Sequence, residues 1–235
     1  MNNKNKKERL KIRSFFRKIA TYLLIATLSI SCWEIGKKQL AYRNSNITYN
    51  NIKKEKNKSN NLQDFLIKQG FDWITVTNTA IDYPIVQGID NNYYVYHNYK
   101  NEESVAGSIF YDAYDEPYNG SSTMLYGHSM RNGTMFNNLH FFKKNHKKFK
   151  ESKLILNTKE GTKRYVPVAY YVTNNNFYYH DLDNMSIEDA LMMIEQNSNY
   201  YNKNVKYSED SHIIGLYTCD YSIENGKLIV FYISE

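Results

Sequence analysis

The chain has 235 residues, 42% of them hydrophobic and 15% aromatic, which is enough apolar material for one sizeable core and excludes an intrinsically disordered protein. Its net charge of +6 is unevenly placed: residues 1–58 hold 15 Lys/Arg and 3 Asp/Glu (net +12), whereas residues 59–235 hold 15 and 21 (net −6). A mildly acidic main body without a basic stripe excludes a nucleic-acid binder, and two cysteines, Cys32 and Cys219, exclude a disulfide framework.

A basic segment, residues 1–18, precedes an apolar run over residues 19–35 that is just long enough to span a bilayer. The positive-inside rule keeps the basic end in the cytoplasm and exports the rest. Three readings compete: an uncleaved signal anchor, a cleaved signal peptide, and a lipoprotein signal acylated at Cys32. No small-x-small pattern follows the run, and Ser29-Ile30-Ser31 lacks the apolar residue wanted three positions before an acylated Cys, so a single-pass anchor is favoured. Residues 36–60 are rich in Lys and Asn and read as a solvated extracellular stalk, leaving residues 61–235 as the main domain.

In that domain, Leu62, Phe65 and Leu66 at helical spacing before Gly70 predict a short leading helix. Strand-like runs follow over residues 73–76, 81–87, 107–111, 123–127, 153–158, 163–173, 212–218 and 227–233, with a hairpin loop at Lys159-Glu160-Gly161. About eight short strands at this density predict a mainly β barrel or sandwich. Two helices interrupt them, one over residues 133–144 and one opening on the capping box Ser186-Ile187-Glu188-Asp189. The tract Tyr93, Tyr94, Tyr96 and Tyr99 fits either strand packing or a groove lining.

Cys219 ends the apolar run from Ile213 and precedes a polar loop, so a sheet would hold it while leaving it facing an opening, as a nucleophile requires. The competing reading is a buried thiol acting as a small hydrophobe. A reactive thiol needs a base or cationic neighbour. Of the six histidines, His140 and His146 fall in a Lys-rich stretch and read as solvated, His97 and His180 follow Tyr-rich tracts, and His212 lies about 23 Å from Cys219 along an extended strand. His128 follows the run Thr123-Met124-Leu125-Tyr126 and Gly127, which permits a close backbone approach. Neither H-x-x-x-H nor paired C-x-x-C spacing occurs, so no metal is expected, and no cofactor-cradling Gly-rich loop or G-x-S-x-G elbow is present.

Four segments in order resemble the class B sortases. They are residues 78–87 (Asn-Thr-Ala-Ile-Asp-Tyr-Pro-Ile-Val-Gln), Gly107-Ser108-Ile109-Phe110-Tyr111-Asp112, Tyr126-Gly127-His128-Ser129-Met130 continuing to Gly133-Thr134-Met135-Phe136, and Leu216-Tyr217-Thr218-Cys219. The last resembles the T-L-x-T-C signature, with Gly215 where Thr is usual. The resemblance implies an eight-stranded sortase-type β-barrel with N-terminal helices and one added helix before the penultimate strand. It implies a cysteine transpeptidase in which Cys219 attacks the Thr carbonyl of a sorting motif (N-P-x-T-N-like or P-x-T-G-like) on a secreted protein. A peptidoglycan precursor or cross-bridge amine resolves the thioester, with His128 as acid and base and Tyr217, Thr218 and Ser129 near the substrate. The family's Arg on the last strand is replaced here by Lys227; Arg131 and Arg164, the arginines beyond the stalk, lie elsewhere. Two alternatives stand beside this reading: a hydrolytic Cys/His peptidase of the cell wall, and a catalytically weak sortase-like binding protein. Asp220, adjacent to Cys219, is expected to point to the opposite face of an extended strand.

Overall fold

The computed structural model describes residues 3–115, 117, 120–174 and 179–235, and the chain divides into two units between Asn44 and Ser45. The first unit is helical: it contains most of α1 (Asn3–Lys58), including the apolar run. A helix satisfies its own backbone groups, the condition for crossing lipid. The hydroxyls of Thr21, Thr27 and Ser29 donate to the carbonyls of Arg17, Leu24 and Ile25 at 2.9 Å each, so none needs an outside partner. Among the described residues this is one helix long and apolar enough to span a membrane, with its Leu and Ile side chains exposed.

The second unit begins at Ser45, within the segment expected to be a solvated stalk. Ser45, Tyr49, Ile52 and Lys56 recur every three to four residues and form one helix face. Tyr49 and Ile52 are buried, Lys56 Nζ lies 2.6 Å from Asp82 Oδ1, and Lys53 and Lys56 sit over the rings of Tyr83 and Trp73 at 4.3 Å. The face escapes a hydropathy reading because Ile52 is its one aliphatic member.

The next helix, α2 (Leu62–Gln69), is capped by Asn61, whose side chain accepts from the amides of Gln63 and Asp64. It ends at Gly70, whose φ of 74° closes it in the left-handed region. The chain then runs through β1 (Asp72–Val76), β2 (Asp82–Gln87), α3 (Tyr93–Tyr96), β3 (Ile109–Tyr111) and β4 (Ser122–Tyr126). The helix expected over residues 133–144 is a 3-10 turn, Phe136–Leu139, leading into α4 (His140–Lys144). Asn145 then breaks the run and caps α5 (His146–Lys150) with its side chain. After β5 (Leu154–Thr158) and β6 (Gly161–Thr173) comes α6 (Ile187–Asn197), where Ser186 accepts from the Asp189 amide and donates to its carboxylate. The two-residue β7 (Tyr200–Tyr201), too short for a periodic signal, precedes β8 (Ile213–Asp220) and β9 (Gly226–Ser234).

Eight of these strands close on themselves in the order β1-β2-β3-β4-β8-β9-β6-β5, with β5 returning to β1 and β7 appended to β6. The closed eight-stranded barrel agrees with the expected fold, and closure leaves those strands no free edge. The pairs β2/β3 and β4/β8 are parallel and the others antiparallel. Strands β8 and β9 are buried on both faces because α6 covers the outer one: Ile187, Ala190, Leu191 and Ile194 join Met124, Ile213, Ile229 and Phe231 in one apolar cluster. Gly215 belongs to this packing. It pairs with Met124, and a Cβ there would collide with the Met124 sulphur, which fills the space a Thr would take.

Just before β8, His212 is held between Thr123 Oγ1 (3.0 Å from Nε2) and the Tyr165 hydroxyl (3.4 Å from Nδ1). Burial, with the nearby Lys163 charge adding to it, pushes its pKa down from 6.5 to about 4. Between those two values the unfolded chain binds a proton that the folded chain does not, so stability falls as pH drops through the window and this contribution levels off below it. Urea midpoints measured from pH 7 to pH 4 are expected to fall less steeply in His212→Gln than in the wild type. A second measurement concerns α1: a chain starting at Ser45 is expected to unfold about 3–6 kcal/mol later than one starting at residue 61, which loses burial of Tyr49 and Ile52. Equal denaturation midpoints for the two would contradict the packing role of that helix face.

Candidate active site

The parallel register of β4 on β8 sets Tyr126 against Tyr217, whose rings lie 5.2 Å apart. Two residues beyond each stand His128, just past the end of β4, and Cys219, next to last in β8 and still paired with β9. The alignment persists past the end of β4: the Gly127 amide donates to the Tyr217 carbonyl at 3.1 Å, and Thr218 Oγ1 donates to the Gly127 carbonyl at 2.7 Å. Gly127 is required because Phe136 lies where its Cβ would be, at 2.8 Å.

His128 and Cys219 both line a cavity of about 260 Å³, walled by Val95, Phe110, Tyr126 and Tyr217 with Asn91 and Ser108 at its polar edge. Cys219 is exposed, which removes the reading of a buried structural thiol. A larger cavity of about 460 Å³ beside α2, lined in part by Leu66, Phe71, Ile85 and Glu160, holds neither Cys nor His. Among the described residues no cluster of His, Cys, Asp and Glu could hold a metal ion.

His128 Nε2 lies 2.8 Å from the Val95 carbonyl oxygen. A carbonyl only accepts, so Nε2 carries the proton and Nδ1 of the neutral ring is left as the basic nitrogen. Val95 itself is held through the neighbouring loop. Gly107, at φ 54°, packs so closely that a Cβ would strike the Val95 and Tyr94 carbonyl oxygens, and its own carbonyl accepts from the Tyr49 hydroxyl on α1. Beneath the cavity floor the buried Asp112 takes Tyr126 OH at 2.7 Å and Asn91 Nδ2 at 3.1 Å, orienting two lining residues.

Lys227 is the direct antiparallel partner of Cys219, so the two side chains leave the same face of the β8/β9 hairpin. Asp220 takes the opposite face. It is buried and bonded to Lys143, and Ser222 donates to it from both its amide (2.8 Å) and its hydroxyl. Burial alone would raise its pKa, but the Lys143 and Ser222 bonds outweigh this and hold the carboxyl below the usual range.

Of the expected substrate contacts, Tyr217 and Thr218 line the cavity, whereas Ser129 is buried and stands apart from it, bonded to His140 Nε2 (3.0 Å) and Asn137 Nδ2 (3.2 Å). Arg164 lies on β6 opposite Ile155 and Arg131 in the exposed loop after Met130; neither lines the cavity. His140 is half-buried, whereas His146 is exposed as expected, and both hydrogen-bond a neighbouring hydroxyl. The first bonds Ser129, and the second bonds the Tyr170 hydroxyl at 3.0 Å and packs on Tyr200, because the Lys-rich stretch folds as short helices with one face against the barrel. His97 stacks on Tyr93, and the side chain of His180 lies outside the described residues. Within the Tyr-rich tract it is the intervening Val95 that reaches the cavity, while Tyr99 packs against Tyr49 and Phe71. The parts of the site without a sequence signal are Val95, which acts through a backbone carbonyl, and Asn91 and Asp112, whose partners are remote in the chain.

Comparison with known proteins agrees with the fold. The sortase domain family model matches residues 74–232. Sortase B of Listeria monocytogenes is 33% identical, covering 94% of this chain and 97% of that protein. The structure of Clostridium perfringens sortase B superposes with a TM-score of 0.64 at 28% identity, over 74% of this chain and 99% of that one. Sortase B from B. anthracis, in complex with AAEK1, gives 0.71 at 27% identity, over 83% and 98%.

Because Gly107 backs the carbonyl that holds His128, Gly107→Ala is expected to cost about 1–3 kcal/mol of stability, the strain of a side chain at positive φ. It should also release the Nε2 proton from its single partner. Nitrogen-15 spectra of the imidazole are predicted to show one Nε2–H tautomer in the wild type and a tautomer mixture in the variant.

Proposed function

This chain belongs to the sortase family of cysteine transpeptidases, and from that premise we propose that Cys219 is its nucleophile and His128 its acid and base. The observation that carries the assignment is the in-register exit of β4 and β8 into one cavity lined by both residues. His128 Nδ1 takes the Cys219 thiol proton as the sulphur attacks the carbonyl carbon of the motif Thr. A tetrahedral oxyanion forms and collapses, the C–N bond to the following residue breaks, and His128 gives its proton to the departing amine. What remains is a thioester on Cys219. An acceptor amine, of a peptidoglycan precursor or cross-bridge, adds to that carbonyl while His128 Nδ1 takes its proton. The C–S bond then breaks, the joined protein leaves, and the departing thiolate takes the proton from His128 Nδ1, regenerating the thiol and the neutral imidazole.

Lys227 is assigned to the place of the family Arg. Its pairing with Cys219 supports a cation beside the developing oxyanion, but an ammonium offers a point charge in place of a planar two-donor fork. The mostly apolar walls fit a motif with a Pro or aliphatic side chain, in keeping with an N-P-x-T-N-like or P-x-T-G-like sequence. The apolar stretch of α1 serves as a single-pass anchor over residues 19–35, with residues 1–18 cytoplasmic and the barrel outside the cell.

A peptide library spanning T-G and T-N motifs tests the reading. Cleavage after Thr is expected in the wild type and none in Cys219→Ala; no turnover by the wild type would sink it. Mass spectrometry with and without an oligoglycine or diaminopimelate-type amine separates transfer from hydrolysis, a transferase giving the amine-joined product. Lys227→Ala is expected to slow acyl-enzyme formation on the order of 10²-fold, the cost of losing one oxyanion donor. Rates equal to the wild type would remove Lys227 from the mechanism.

A further inference from the structure

Residues 45–58 of α1 touch the segment between α3 and β3 at two points. Ser45 Oγ lies 3.0 Å from Ser104 Oγ, and one helical turn later the buried Tyr49 hydroxyl donates to the Gly107 carbonyl, with Ser108 Oγ 3.3 Å away. Ser108 lines the cavity that holds His128 and Cys219, and Gly107 packs against the Val95 carbonyl that accepts from His128 Nε2. A phenol on α1 therefore stands behind the imidazole with two backbone groups between them.

The hydrogen bonds around Tyr49 leave its proton one direction. Ser108 Oγ donates to the His97 carbonyl at 2.9 Å, so the Tyr49 proton goes to Gly107 and both hydroxyls are satisfied. Burial pushes the Tyr49 pKa up, which keeps the phenol protonated and donating near neutral pH. The ring is held separately, edge-on to Tyr83 with centroids 5.4 Å apart and tilted against Tyr99 at 5.7 Å. Within the loop, the Ser108 amide donates to the Tyr94 carbonyl at 2.9 Å and the Ser104 amide to the Tyr96 carbonyl at 2.8 Å. Gly107 leaves no slack there, since a Cβ on it would stand 2.5 Å from the Val95 oxygen. A Phe at position 49 would pack its ring as well as the Tyr does; what the hydroxyl adds is the bond to Gly107.

We propose that Tyr49 is a positioning residue of the active site: its hydroxyl fixes Gly107, which backs the Val95 carbonyl and so keeps the His128 proton on Nε2 and Nδ1 free for the thiol. The inference rests on the assignment of His128 and Cys219 as the reacting pair. Without the hydroxyl the Gly107 carbonyl loses its donor and the loop gains freedom. A His128 ring less firmly tied at Nε2 then populates the tautomer protonated on Nδ1, which cannot accept a proton from Cys219.

The test uses the full chain in detergent and the peptide that the library selects. Tyr49→Phe deletes one oxygen and keeps both ring contacts; Ile52→Ala, on the same face of α1, removes aliphatic burial and leaves the hydroxyl in place. Thermal melts are recorded first, and kcat is measured below the midpoint of every variant, with nitrogen-15 imidazole spectra of the same samples. Tyr49→Phe is expected to lower kcat on the order of tenfold, within the range that a small misplacement costs, and to turn the single Nε2–H tautomer of His128 into a mixture. Ile52→Ala is expected to lose more thermal stability yet keep the wild-type kcat and tautomer. The absence of either change in Tyr49→Phe, a mixture already present in the wild type, or equal changes in Ile52→Ala would overturn the role of the hydroxyl. His128→Ala and Cys219→Ala run alongside: if they keep turnover, the assignment of the reacting pair has failed. If they are dead while Tyr49→Phe matches wild type, the positioning role alone has failed.

Discussion

The parallel pairing of β4 with β8 is the constraint on which the site depends. Antiparallel neighbours would send the two strands out of opposite ends of the barrel. Parallel ones end together, and the pairing of Tyr126 with Tyr217 leaves His128 and Cys219 each two residues past the match. The hydrogen bonds from Gly127 N to Tyr217 O and from Thr218 Oγ1 to Gly127 O extend the register past the end of β4. Such pairing brings together segments about 90 residues apart, so its loop-closure entropy must be offset by burial elsewhere. The apolar cluster of α6 on the outer face of β8 and β9 provides that burial, and Gly215 with Met124 shows how closely it is packed against the β4/β8 seam.

Around this seam each supporting element controls one feature of the pair. The α3 loop fixes the tautomer of His128 through the Val95 carbonyl, and α1 braces that loop from behind through Tyr49 and Gly107. The β8/β9 hairpin sorts its own side chains by alternation: Cys219 and Lys227 face out together, while Asp220 turns inward to Lys143. Asp220 therefore supports the strand end and does not line the cavity that Cys219 faces. The same alternation would reverse with a one-residue slip in register, which the short loop between Asp220 and Gly226 resists.

The strands were legible wherever β-branched and aromatic residues alternate or run together, as in Asp82–Gln87 and Gly226–Ser234, and the helix ends where a capping side chain or a left-handed glycine marks them, as at Ser186 and Gly70. His128 and Cys219 stood out because each closes an apolar run at a polar loop. Illegible were features that depend on partners remote in the chain. The face Ser45, Tyr49, Ile52 and Lys56 reads as polar because its contacts are a hydroxyl, a ring and an ion pair. The Val95 carbonyl belongs to a backbone that any residue could supply. His140 sits among lysines and resembles a solvated side chain until the fold brings the Ser129 hydroxyl and the Asp220 carboxylate to its two sides.

The central claim is that His128 and Cys219 act as one unit, placed by adjacent strand ends. Rapid-quench intact-protein mass spectrometry after mixing with the cleaved peptide tests it most directly. An acyl adduct mapping to Cys219 is expected in the wild type, absent in Cys219→Ala and forming slower by about 10²–10⁴-fold in His128→Ala, the usual worth of a positioned acid–base group. An adduct on any other residue, or one that forms at the wild-type rate without His128, would contradict it.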